Sequence, residues 1–484
     1  MSETLSPLLA KPLPDSVGPC LFRRVGDAWL VTNEWGQHER LSETDFRAFL
    51  GGTLAEEAPV WGSLRAKGFI RRHMDFPVLT SRYGRRTAPL RQGGTVHVVS
   101  LTQRSDQSGP ARAEGGAADT DMSLATARRV SRFIFESPSS EVTVQLRGGE
   151  PLLNWEVLEF LVRHMRSFAA SVRRRLRVGL VSNLAALDPA RMDFLAENEV
   201  ELGVPLDGPA DLHDRLRRSA GGGAHAATAR ALASWSARHP ASPRPEAFLT
   251  ATRESLGRAG DIVAEYRRLG LASIRARSLA PVGQARADWA ARGLSPEEYL
   301  AFYEDLLGRA LAADSAAAPF VERGAAEMLC RILTDEDPGS LELGHVYSGG
   351  TRQLAYESDG SVYLSGEGLD LWHGDGDAFF RLGGVDQPRK EVVTHPTLRA
   401  AALASELGSQ PLCRQCAYQP YCGVSPVYNY AAQGTLHGRN PTNDRCAVLM
   451  GRFDALFARL AAPAGRAPLE RWAQTGAVPM GPPL

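Results

Sequence analysis

The chain has 484 residues, with 55 Lys plus Arg set against 55 Asp plus Glu. That length exceeds one small core, so two or three domains are expected, and a formal net charge of zero excludes a global attraction to nucleic acid or to an anionic membrane. No stretch reaches the roughly 18 uninterrupted apolar residues of a membrane span, and the opening MSETLSPLLAKPLPD, with an early Glu and prolines, holds no apolar run long enough for a signal-peptide core. The expectation is a cytoplasmic protein without a nucleic-acid or membrane partner.

Residues 1–85 contain a small independent unit. Short β-like runs, CLFRRV and AWLVTNEWG, precede a helix in LSETDFRAFL, where Ser42 and Asp45 form a start resembling a capping box. A further helix in VWGSLRAKGFI closes the unit at Gly68. Two or three strands with short helices is the make-up of a winged-helix-like module. Trp29, Val31 and Trp35 alternate along AWLVTNEWG, and Phe46 and Phe49 follow on the next helix.

Over residues 90–335 strands alternate with helices. The strand runs are TVHVVSL, VTVQLR, RLRVGLVSN, VELGVPLD, EAFLTATR and ASIRARSLA. Between them lie SLATARRVSRFIFES, WEVLEFLVRHMRSFAAS, PARMDFLAEN, AHAATARALASWSARH and GDIVAEYRRLG, all with helical patterning. Six such units predict an α/β fold, a partial (β/α)6 barrel with right-handed crossovers. Ligands bind at the carboxyl ends of the strands in such folds, which directs attention to Gly148, Gly149, Glu150 and Pro151, to Ser182 and Asn183, and to Arg253. The polar stretch RSDQSGPARAEGGAADTD after the first strand reads as a loop. His97 and His213 lack metal-site spacing and read as packing or surface residues.

Residues 340–460 hold CRQCAYQPYCGVS and, later, Cys446. Four of the six cysteines, Cys413, Cys416, Cys422 and Cys446, thus form CX2CX5C plus one distal Cys. Four thiolates close one tetrahedral zinc site or hold one [4Fe-4S] cluster. Cys20 and Cys330 read as inert packing residues. Residues 461–484 read as a loose tail, with at most a short turn around Trp472.

RGGEPLLN, LDGPADLHDR and TATRESL resemble the radical S-adenosylmethionine enzymes, and the C-terminal cysteines resemble their SPASM extension. SLTQR, QLAYESDGSVY and YCGVSPVYNYAAQG resemble the His-Xaa-Ser-system maturase type, which modifies ribosomally made peptides. The resemblance spans nearly the whole chain and implies that the N-terminal unit is a leader-peptide recognition module. Trp29, Val31 and Trp35 are then the expected peptide-binding residues, provided their strand lies at a sheet edge.

The departures from the family pattern are as informative. After SLTQR the family has CX3CX2C for its catalytic cluster; the matching positions here are Ser105, Gly109 and Arg112. None binds iron as a thiolate does, and only Cys20 and Cys330 remain unassigned. Three ligands of the first auxiliary cluster match Tyr347, Ser365 and Ser425, whereas the other auxiliary set matches the intact Cys413, Cys416, Cys422 and Cys446.

In the family, the GGEP loop recognises the cofactor's amino group. Here two readings stay open: residual S-adenosylmethionine binding, or glycines and proline that shape the turn while Glu150 hydrogen-bonds the opened loop. Loss of iron chelation counts against S-adenosylmethionine as a cofactor. The expectation is a catalytically silent, radical-SAM-like binding or scaffold subunit, with a precursor peptide or an active maturase as partner. The alternative is an enzyme using the barrel cleft for S-adenosylmethionine-dependent or hydrolytic chemistry without a radical.

Overall fold

A computed structural model describes residues 13–88, 95–110, 120–340, 342–344, 346–440 and 442–476. Arg112 lies outside these residues. The N-terminal module is a three-stranded antiparallel sheet, β1 (Leu21–Val25), β2 (Ala28–Thr32) and β3 (His38–Leu41), followed by helices Glu43–Leu50, Trp61–Ala66 and Phe76–Thr87. The Ser42 side chain caps the first helix by accepting from the Asp45 N–H.

The strand order is β1-β2-β3, so β2 is the central strand and not an edge. All five of its residues are buried. Trp29 and Val31 point into the module's own core, where Trp29 stacks on Phe46 with ring centroids 4.3 Å apart. Leu30, on the opposite face, belongs to the main core. Trp35 lies beyond β2 in the turn leading to β3 and is half-buried. The expected peptide-binding strand therefore has both backbone edges paired and both faces covered, leaving β1 and β3 as the edges.

The main body is one ten-stranded sheet in the order β10-β9-β8-β7-β6-β5-β4-β11-β12-β13. Its first six strands are β4 (Val96–Ser100), β5 (Glu141–Arg147), β6 (Arg175–Val181), β7 (Val200–Pro205), β8 (Glu246–Ala251) and β9 (Ser273–Ser278), each inside a run expected from the sequence except β5, which begins one residue earlier. They are parallel, as their intervening helices require. The short β10 (Val321–Glu322) extends one edge. On the other side β11 (Gln353–Tyr356) pairs parallel with β4, and β12 (Ser361–Tyr363) and β13 (Arg381–Gly384) add antiparallel. The C-terminal region thus continues the barrel sheet.

The expected loose tail is instead helical over Pro463–Gly476 and packs along helix Arg323–Leu333. Leu469, Trp472 and Ala473, at i, i+3 and i+4, form its buried stripe. Trp472 also donates its indole N–H to Asp314 at 3.1 Å. Gly465 and Pro468 hid this helix in the sequence; burial of the stripe outweighs their low propensity. Among the described residues no helix is long and apolar enough to cross a membrane. Trp472→Ala should destabilise the chain by about 3–5 kcal/mol, the usual cost of truncating a fully buried Trp, measured by denaturant unfolding of the two proteins.

Candidate functional site

The carboxyl ends of the parallel strands open into a cavity of about 530 Å³, roofed by the C-terminal region. Gly148, Gly149 and Arg147 at the end of β5 line it, with Thr250 from β8 and Arg277 and Ser278 from β9. Arg147 crosses to the roof, where its guanidinium pairs with Asp370 at 2.8 Å and donates to Gly366 O at 3.1 Å.

The GGEP loop is occupied by the chain itself. Gly149 N–H donates to Thr102 O at 2.7 Å and Glu150 N–H to Arg104 O at 2.6 Å, so the segment after β4 is zipped onto the loop. A Cβ at either glycine would collide with backbone atoms of residues 102–104, which explains both glycines by close approach. Asp121 holds the segment through Arg104 at 2.9 and 2.5 Å and Thr102 at 2.5 Å.

Glu150 is 2% exposed. It accepts from Leu152 N at 3.0 Å, Ser182 Oγ at 2.7 Å and Asn183 N at 3.0 Å. The structure thus brings Glu150, Ser182 and Asn183 together and ties the end of β5 to the end of β6. Pro151 opens the following 3-10 turn, and the Asn183 amide reaches Asp106 at 2.8 Å. Arg253 does not join them: it is exposed and donates to Gly293 O at 3.2 Å. The chain's own donors thus engage both oxygens of Glu150, two on Oε1 and one on Oε2.

At the positions that match the catalytic cluster ligands, Ser105 is buried and donates to Gln107 O at 2.7 Å. Gly109 lies against the Arg217 guanidinium, which pairs with the fully buried Asp207 at 2.7 Å. Cys20 packs against the N-terminal core and Cys330 is buried on helix Arg323–Leu333, so neither thiol serves this region.

The positions matching the first auxiliary ligands do converge. Tyr347 OH is 2.8 Å from Ser365 Oγ and 2.8 Å from Glu367 Oε2, and Ser425 Oγ donates to the same carboxylate oxygen at 2.5 Å. Ser365 and Ser425 also cap the helices that follow them. Glu367, which the sequence reading missed, is the hub of this network and faces the cavity. Its only sequence signal was its position two residues after Ser365.

Cys413, Cys416, Cys422 and Cys446 are free and half-buried. Burial, with the other sulfurs adding to it, pushes the Cys413, Cys422 and Cys446 thiols up to about 12. Burial raises Cys416 as well. As the side chains stand, no three Cys, His, Asp or Glu groups among the described residues form a set able to hold a metal ion. The donor chemistry nevertheless fits a soft cation or a cluster, because these four sulfurs act electrostatically on one another and binding requires their thiolates.

The CX5C segment also docks the N-terminal module. Thr32 donates to Ala417 O at 2.7 Å, Tyr421 OH to Gly36 O at 3.1 Å, and Arg86 to Pro420 O at 2.8 Å. Arg23 forms a two-pronged pair with Asp454 at 2.9 and 3.0 Å and lies over the Tyr418 ring. All four of these docking residues, Ala417, Tyr418, Pro420 and Tyr421, lie between Cys416 and Cys422.

No family model matches the chain, and no curated protein does. Solved structures match in fold. The structure of anSMEcpe with bound AdoMet is 17% identical, with a TM-score of 0.64 over 78% of this chain and 98% of that one. Streptococcus suis SuiB bound to S-adenosylmethionine is 13% identical, with a TM-score of 0.53 over 90% and 100%. SuiB bound to precursor peptide SuiA is 11% identical, with the same TM-score over 90% and 99%. At these identities the likeness is one of fold: mixed α/β with a large parallel sheet.

Burial raises the Glu150 carboxyl to about 7 against three hydrogen bonds that favour its charged form. Its folded pKa lies above the ordinary value of 4.5, so its favourable contribution is complete below about 4.5 and is lost as pH rises through about 7. The stability difference between wild type and Glu150→Gln should therefore shift against the wild type by about 3 kcal/mol between pH 4.5 and 8. Paired unfolding curves across that range check the sign.

A metal at the four cysteines would stabilise the docking segment by coupling folding to binding, on the order of 10 kcal/mol for a structural thiolate site. Cys416→Ala should lose the metal and lower hydrogen-exchange protection in β2 and β3 as well as around the cysteines. Unchanged metal content together with unchanged protection in the module would contradict the assignment.

Proposed function

We propose that this chain is a catalytically silent protein of radical S-adenosylmethionine type, serving as a peptide-binding or scaffold subunit in the modification of ribosomal peptides. The observation that carries the reading is the segment after β4. Where the resembling family places three cluster thiolates, it offers the internally bonded Ser105 and a glycine against the Arg217–Asp207 pair, while residues 102–104 fill the GGEP loop. A thiolate-held iron is what the family uses to deliver an electron to the sulfonium, and these side chains supply no soft ligand for it. The network of Tyr347, Ser365, Ser425 and Glu367 supports the same reading at the first auxiliary position.

The retained metal is one zinc ion or one [4Fe-4S] cluster at Cys413, Cys416, Cys422 and Cys446. Its role here is structural, holding the segment on which the N-terminal module rests. Peptide binding draws support from the fold shared with SuiB, crystallised with its precursor peptide SuiA. With β2 internal, an extended leader segment is received at the β1 or β3 edge, where main-chain hydrogen bonds supply affinity. The partner is a precursor peptide, an active maturase, or both, and the compartment is the cytoplasm.

The test combines two measurements on purified protein. With S-adenosylmethionine and strong reductant, 5′-deoxyadenosine should not exceed a no-protein control; turnover above it would overturn the reading. Arg24→Pro in β1 removes one backbone donor on an exposed edge residue, and Arg40→Pro in β3 removes an edge donor that Glu39 Oε1 holds at 3.1 Å until a strand displaces it. One of them should weaken capture of the precursor peptide about tenfold. Capture unaffected by both would remove the module as the reader.

A further inference from the structure

The cavity under the C-terminal roof holds both charge signs, but the two are not equally satisfied. Each cation facing it has a partner: Arg147 pairs with Asp370, and Arg277 with Glu342 at 3.2 Å. Arg445 donates to Gly423 O and Glu342 O at 2.9 and 3.0 Å, and Arg452 stands 3.7 Å from Glu322. Two of the carboxylates differ. Among the described residues Glu367 accepts only hydroxyl hydrogen bonds, both on Oε2, which leaves Oε1 without a donor there. Asp444, in the first turn of helix Asp444–Ala461, has no hydrogen-bond or ion-pair partner among the described residues.

Tyr428 stands with these two. It is 8% exposed and lines the cavity, yet its hydroxyl has no hydrogen-bond partner among the described residues. Burial raises its pKa to about 12, with the charges of Asp444 and then Glu367 adding to the rise and the Arg445 guanidinium opposing it. The three groups come from separate helices, Gly366–Asp375, Pro426–Gln433 and Asp444–Ala461, so the arrangement is a product of the fold.

We propose that Glu367, Asp444 and Tyr428 form a subsite for an organic cation, the ammonium or guanidinium of a basic side chain on the bound peptide. The cavity has the volume of an ordinary small-molecule pocket, and a basic side chain provides what the three groups lack. Its N–H groups donate to the free Glu367 oxygen, to Asp444 and to the Tyr428 hydroxyl, and its charge offsets two carboxylates that no cation pairs. The Tyr347 and Ser425 hydroxyls hold Glu367 in place on the other oxygen. Without such an anchor a flexible carboxylate would lose rotamer freedom on binding.

The subsite rests on the peptide-binding reading, and its test is separable from it. Full-length protein is titrated calorimetrically with Nα-acetyl-lysine methylamide and Nα-acetyl-arginine methylamide, with Nα-acetyl-norleucine methylamide as the neutral comparison. At least one cationic probe should bind about tenfold or more tightly than the norleucine probe, with affinity falling as salt rises. Glu367→Gln and Asp444→Asn should each weaken it about fivefold or more, and Tyr428→Phe less. Asp444→Asn leaves the Tyr347 network untouched, so it remains decisive if Glu367→Gln perturbs folding. Equal binding of the norleucine probe, or cation affinity unchanged in Asp444→Asn, would overturn the subsite. Precursor capture without cation binding would overturn the subsite alone. Cation binding without precursor capture would support the subsite and overturn the peptide reading.

Discussion

Strand β4 is hydrogen-bonded on one side to β5 and on the other to β11, both in parallel register. That double pairing joins the barrel half of the chain to its C-terminal region and fixes what stands over the strand ends. Because the sheet is continuous, the roof is positioned by a main-chain ladder as well as by side chains crossing a gap. His97 reinforces the joint, with its Nδ1 2.8 Å from Tyr356 OH. Arg147, two residues beyond Gln145, which pairs with Val98 of β4, then reaches Asp370 and Gly366. The cavity is therefore as well defined as the sheet on which it rests.

Two regions where the resembling family uses thiolates are filled here by groups that satisfy one another. After β4, backbone pairing to the GGEP loop and the Arg104–Asp121 pair hold the segment. At Tyr347, two serine hydroxyls and a carboxylate complete a buried cluster. The energetics favour such closure. A buried polar group left without a partner costs about 1–3 kcal/mol, whereas a paired one is close to neutral. Buried hydroxyls thus call for a local hydrogen-bond network, and Glu367 supplies it beside Tyr347.

The four cysteines occupy a different structural position. The segment between Cys416 and Cys422 faces the N-terminal module, and its backbone carbonyls and tyrosine hydroxyl make the contacts that seat β2 and Gly36. Gly36 has a φ of 77° and lets Arg86 pass close over it to reach Pro420. The module and the cysteine segment are consequently one mechanical unit, although more than 380 residues separate Thr32 from Ala417.

The sequence by itself determined the local periodicities. The six parallel strands, their helices and the Ser42 cap follow from two- and 3.6-residue patterns and from one side chain reaching three residues ahead, all of which act within a short window. It also held the spacing of Cys413, Cys416 and Cys422, since a ligand pattern is a property of the chain order. Tertiary structure alone decided that β2 is central, because strand alternation is the same for an edge and a middle strand until neighbours are assigned. It decided that Pro463–Gly476 is a helix, because burying Leu469 and Trp472 overrides the propensities of Gly465 and Pro468. The meeting of Tyr347, Ser365, Ser425 and Glu367, the placing of Arg253 outside the cleft, and the sharing of one cavity by Glu367, Tyr428 and Asp444 depend on long-range contacts that no local pattern encodes.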